Sequence, residues 1–179
     1  MATLSGMSVE LGFLCSCCGQ RHDGLPFSYG ATAPVYWQES LEGSAGSVLG
    51  DEQCVIGGDH FFVRARLVLL VRDAEQDFEW GVWVSLSEAN FVRLEASWSA
   101  PERVSEPPYF GWLSTELPGY EPTSVNLKTM VHSQAVGTRP IVELEPTDHP
   151  LAVEQRSGIT VARVQDIAER LLHPGHPAS

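Results

Sequence analysis

Three of the four cysteines, Cys15, Cys17 and Cys18, fall within four residues, and His22 follows four positions after Cys18. The run reads Cys15-x-x-Cys18-Gly19-x-x-His22. Two residues between Cys15 and Cys18 let both thiolates point at one ion about 2.3 Å away, and a glycine just beyond them permits the tight backbone turn of a knuckle. His22 then supplies a third ligand. A closed tetrahedral zinc site needs a fourth. Cys54, the one remaining cysteine, is the leading choice, and Cys17 is the alternative. His60 and an open, water-bearing position are further alternatives, and the open site would point towards catalysis. The expected cofactor is zinc, and the expected ligands are Cys15, Cys18, His22 and Cys54. The competing reading of Cys54 is a buried apolar thiol, since Val55 and Ile56 flank it. Adjacent cysteines make no sensible disulfide framework, and a redox C-x-x-C would require a βαβ unit that does not follow here.

A second pairing of carboxylate and imidazole lies in Asp148-His149-Pro150, near Glu143, Glu145 and Glu154. Such a pair can act as acid and base. It also has the look of a helix start, with Asp148 as N-cap and His149 and Pro150 in the first turn. Ser85 and Ser87 lack the flanking glycines of a nucleophile elbow, and no phosphate-binding glycine loop of either common spacing occurs.

The elements that would position these residues can be read from periodicity. His60 to Val71 alternates as one long strand, with Phe61, Val63, Ala65, Leu67, Leu69 and Val71 on one face. After a polar turn, Phe78, Trp80, Val82, Val84 and Leu86 line one face of a second strand, giving an antiparallel hairpin. Ser87 caps a helix carrying Phe91, Leu94 and Trp98 up to Pro101. Tyr109 to Thr115, Val125 to His132 and Pro140 to Glu145 read as three further short strands. Thr147 or Asp148 caps a short helix that stops at Gly158, and Thr160 caps a second one with the apolar stripe Val161, Val164, Ile167, Ala168 and Leu171. The expected fold class is α+β: an antiparallel sheet of about five strands with helices packed on one side and a zinc-knuckle-like segment at about residues 13–26. One domain over residues 1–172 is expected, followed by a disordered tail at 173–179. Trp83 and Trp112 are expected to face away from the apolar set of their strands, where an exposed aromatic patch would bind a partner.

The 179 residues carry 11 Lys and Arg against 23 Asp and Glu, a formal charge of −12. That field repels phosphate backbones, so no nucleic-acid or anionic-membrane binding is expected, and a basic protein partner is favoured. No segment approaches the roughly 20 apolar residues of a membrane span, and Met1 to Leu14 lacks the basic n-region of a secretory signal. A cytoplasmic setting is expected.

Several runs together carry a recognisable pattern. They are Phe-x-Cys-x-x-Cys-Gly-x-x-His from Phe13, then Cys54-Val55-Ile56, Phe61-Phe62-Val63-Arg64, Trp80-Gly81-Val82-Trp83-Val84-Ser85-Leu86-Ser87, Gly111-Trp112-Leu113-Ser114 and Pro146-Thr147-Asp148-His149-Pro150-Leu151-Ala152. In this order, from about Phe13 to Leu172, the chain resembles the bacterial domain of unknown function family 2199. The resemblance implies a single domain in a bacterial, cytoplasmic setting and carries no activity with it. Two functions are therefore weighed on the residues alone. The first is a zinc-stabilised acidic binding or regulatory module for a protein partner. The second is a metal-assisted hydrolase with an open zinc site and Asp148 or His149 as acid or base.

Overall fold

The computed structural model describes residues 12–174. A two-stranded hairpin comes first, β1 (Phe13–Leu14) with β2 (Arg21–His22), followed by the short strands β3 (Ser28–Gly30), β4 (Val48–Leu49) and β5 (Gln53–Ile56). The long hairpin read from the sequence is present as β6 (His60–Leu69) and β7 (Phe78–Leu86), antiparallel from Phe61 opposite Leu86 to Leu69 opposite Phe78. Helix α1 (Glu88–Ser97) follows, then β8 (Tyr109–Leu113), β9 (Lys128–His132), β10 (Ile141–Leu144), α2 (Pro150–Ser157) and α3 (Val161–Leu172).

The expectation of a simple antiparallel sheet is corrected by how the edges pair. Strands β6 to β10 run in sequence order as a meander, and β10 then returns to pair with β6, so five strands close into a barrel. An antiparallel ring of odd strand number must contain one parallel seam, and it falls between β10 and β6, where Ile141 is opposite Arg66 and the Arg66 N–H donates to the Pro140 carbonyl (2.9 Å). Closure is possible because the two long strands each divide an edge between two partners. The outer edge of β6 takes β5 along residues 60–63 and β10 further on. The outer edge of β7 takes β3 along residues 79–81 and β8 along residues 84–86.

Alternation fills the interior. Val63, Ala65, Leu67, Leu69, Phe78, Trp80, Val82, Val84, Leu113, Val131 and Val142 are buried together. Removing such side chains from water contributes roughly 1.5–3 kcal/mol each relative to exposure. Gly111 is buried because β8 crosses β7 closely: a Cβ there would lie 2.5 Å from the Ser85 carbonyl oxygen and 2.6 Å from Val84 Cγ1.

A barrel has no single side on which to gather helices. α1 packs where β6 begins, with the Phe61 and Phe91 rings 5.1 Å apart. α2 and α3 attach at the other end of the hairpin, where the Ile159 N–H meets the Leu70 carbonyl and the Val161 N–H meets Asp73. Ser87 and Thr160 cap α1 and α3 as their sequence positions imply, and Gly158 ends α2 at φ 74°. The cap of α2 is a correction. Asp148 is exposed, and the side chain that caps the helix is that of His149, whose Nδ1 accepts from the Leu151 N–H (3.1 Å).

Candidate metal centre

The knuckle is built by backbone geometry before any metal is considered. In the β1–β2 hairpin Phe13 stands opposite His22. Between the strands, the Cys15 N–H donates to the Gln20 carbonyl and the Gly19 N–H to the Cys15 carbonyl, both at 2.9 Å. Gly19 sits at φ 68°, a left-handed conformation that glycine adopts without steric penalty. The turn brings Cys18 Sγ to 3.7 Å from His22 Nε2, while the Phe13 ring stacks on the imidazole with centroids 5.0 Å apart. An S–N edge of a tetrahedral zinc site measures about 3.6 Å for ordinary bond lengths.

Burial opposes ionisation of Cys15, which is 1 % exposed, but the N–H groups of Cys18 and Cys17 point at its sulfur and outweigh that effect, holding the thiol below its ordinary pKa. Cys17 behaves in the opposite way: burial against Phe13, Cys15 and Ala168 pushes its thiol up. The turn therefore distinguishes a thiol suited to ligation from one suited to packing.

A fourth donor comes from the far end of the chain. One ligand atom each from Cys15, Cys18, His22 and His173 lies within 4.8 Å of the others. His173 closes α3, its N–H bonded to the Glu169 carbonyl. It lies at the start of the stretch that the sequence reading took as a tail, of which residues 175–179 lie outside the described ones. The same helix holds the knuckle from behind. Glu169 accepts from both the N–H and the hydroxyl of Ser16, and Gln165 donates to the Leu14 carbonyl (3.0 Å). Burial works against the Glu169 charge, but these donors, with Gln165, prevail and lower its pKa.

Cys54, the expected fourth ligand, does not join the group. It lies on β5, buried against Phe62 and Trp83, and burial pushes its thiol up to about 11. This is the apolar-thiol alternative that Val55 and Ile56 suggested. His60 is exposed and bonds Asp59 (2.6 Å), also outside the group.

Asp148 and His149 are not among the donors either. His149 is buried and uses both ring nitrogens: Nδ1 accepts from Leu151, and Nε2 therefore carries the proton and donates to the Pro122 carbonyl (2.8 Å). Of the two tryptophans expected to face outward, Trp83 does so but is fully buried, its Nε1 donating to the Ala31 carbonyl (3.2 Å). Trp112 is 41 % exposed and meets Phe110 edge-on at 5.4 Å.

Fold and site together define a closed five-stranded barrel with peripheral helices and a Cys/His group that could hold a metal ion, assembled from both ends of the described chain. By family model the chain belongs to the bacterial family described as an uncharacterized protein conserved in bacteria, DUF2199, with residues 14–159 matched. The match takes in Cys15, Cys18 and His22 and stops before α3, so His173 lies beyond it. The curated proteins contain no match to the chain, and neither do the solved structures. Among the described residues no helix is long and apolar enough to cross a membrane.

Proposed function

We propose that the Cys15, Cys18, His22 and His173 group is a structural zinc site and that the domain it fastens is a non-catalytic binding or regulatory module for a basic protein partner. One observation carries the reading: four protein donors lie within mutual reach. Four protein ligands complete a tetrahedron and leave no position for an activated water, which is the mark of a structural zinc. Two thiolates and two imidazoles favour zinc over the hard cations, which prefer oxygen. The ion would join the opening hairpin to the last helix.

The partner surface is the outer face of β8. Phe110 and Trp112 are both more than two fifths exposed, and across the register Trp112 adjoins Ser85, which adjoins Phe62. A groove of about 510 Å³ opens beside this row, lined by Tyr36, Asp59, Phe61 and Phe62. Exposed aromatic faces attract guanidinium and ammonium groups, and the net charge of −12 draws a basic chain towards them. Lys128, opposite Trp112 in the register, has Glu145 at 3.4 Å.

Two measurements test this. Elemental analysis should find about one zinc per chain, with much less in His173→Ala and no change in Cys54→Ser. Calorimetric titration with an arginine-rich peptide should show binding that a Phe110→Ala/Trp112→Ala variant weakens at least tenfold. Full zinc content in His173→Ala would refute the ligand set, and equal peptide affinity in the double variant would refute the surface.

A further inference from the structure

A second site lies away from the cysteines, where the turn after α1 meets the barrel wall. A cavity of about 480 Å³ is lined by Glu52, Arg66, Trp98, Arg103 and Arg139, with Gly137 and Thr138 at the β9–β10 turn. Three of the chain's 11 basic residues thus converge on one hollow of a strongly acidic molecule. Two of the three guanidiniums have carboxylate partners. Arg139 forms a two-pronged pair with Glu52, Nε to Oε2 at 2.8 Å and Nη2 to Oε1 at 2.6 Å. Arg66 Nη1 donates to Glu79 (2.8 Å).

Arg103 is different. It is 2 % exposed, its Nη1 donates to the Trp98 carbonyl, and its guanidinium stacks over the Trp98 ring at 4.6 Å. Its Nη2 is buried without a hydrogen-bond partner, and so is the Nε of Arg66. No carboxylate pairs with it among the described residues. Burying a charged group is unfavourable unless it is paired and its donors are satisfied, and a guanidinium can neither lose its proton nor turn its fork into an acceptor. The cavity beside it is roomy enough for a small organic anion. Of the three guanidiniums that line it, only that of Arg103 has no carboxylate among the described residues, so the missing counter-charge is negative.

We propose that this cavity binds a small oxyanion, a carboxylate- or phosphate-bearing metabolite, drawn by the uncompensated charge of Arg103 and held among the guanidiniums that line the hollow, while Trp98 provides an apolar wall. Planar guanidinium forks match both groups, which is why the two share one site chemistry. The site is independent of the metal centre and of the aromatic face.

The test uses the whole metal-loaded protein and two probes, malonate and inorganic phosphate, against chloride at equal ionic strength. A saturable rise in melting temperature is expected with at least one of them and not with chloride, and the stronger probe identifies the ligand class. Arg103→Gln should abolish that rise. Glu52→Gln, which frees Arg139 from its carboxylate, should tighten binding several-fold and decides the matter if Arg103→Gln does not fold. No saturable shift in the parent, undiminished binding in a folded Arg103→Gln, or unchanged affinity in Glu52→Gln would each overturn the proposal.

Discussion

Replacing His149 by alanine should destabilise the protein far more than replacing its neighbour Asp148, and the difference can be worked from three contacts. The imidazole Nδ1 accepts from the Leu151 N–H, and loss of an N-cap costs about 1 kcal/mol. Nε2–H donates to the Pro122 carbonyl, another net contribution of about 1 kcal/mol. The ring is 8 % exposed and lies 6.4 Å from the Tyr120 ring, so truncation also leaves part of a packed space empty, adding on the order of 1–2 kcal/mol. Together these give about 3–4 kcal/mol, a fall of roughly 6–16 °C for a chain of this size. Asp148 is exposed and makes no such contact, so Asp148→Ala should stay within about 0.5 kcal/mol. Asparagine at 149 separates the terms, because its carbonyl can still cap Leu151 but is too short to reach Pro122, and it should recover about 1 kcal/mol. Thermal unfolding followed by circular dichroism at fixed protein and zinc concentration reads all three. An Asp148→Ala protein that melts as low as His149→Ala would refute the assignment of the cap.

Three further expectations follow from the geometry. On the proposed zinc site, a chelator should lower the melting temperature of the parent and of Cys54→Ser but leave His173→Ala almost unchanged; calorimetry with and without chelator decides it. Gly111→Ala should cost about 3 kcal/mol, since its new methyl group meets the Ser85 carbonyl at 2.5 Å, and a urea midpoint equal to the parent's would contradict the close crossing of β7 and β8. Glu169→Gln weakens the acceptor that holds Ser16, so amide exchange at Cys15 to Gly19 should speed up while exchange in β6 and β7 stays as it was.

The long hairpin, the caps at Ser87 and Thr160 and the stop at Gly158 were legible because each rests on a local signal: alternation, a hydroxyl one residue before a helix, a glycine one residue after. Barrel closure was not. It depends on β6 offering one edge to both β5 and β10, and nothing in the alternation of residues 60–69 says how many partners an edge takes. The Cys/His group divides in the same way. Cys15, Cys18 and His22 announce themselves by spacing, whereas His173 is brought to them by α3 packing its Ala168 beside Phe13 and Cys15. A histidine before a proline at a helix end reads as a terminus, and the only sequence signal for its role was that the knuckle lacked a fourth donor. His149 was misread for a chemical reason: Asp is a common cap, but a neutral imidazole also offers an acceptor, and the one here is fixed by the carbonyl on its other side.

The parallel seam between β10 and β6 also sets a timetable. As the chain is synthesised from its N-terminus, β6 and β7 can pair at once, but half of β6's outer edge stays open until residues 141–144 arrive. An unpaired edge of this kind invites association with other chains, so a stalled or prematurely ended product would be prone to aggregate. His173, the fourth member of the Cys/His group, emerges later still, with the close of α3. A nascent chain holding Cys15, Cys18 and His22 alone offers only three ligands, and a fully coordinated ion would then record that translation had run past the seam and through the last helix.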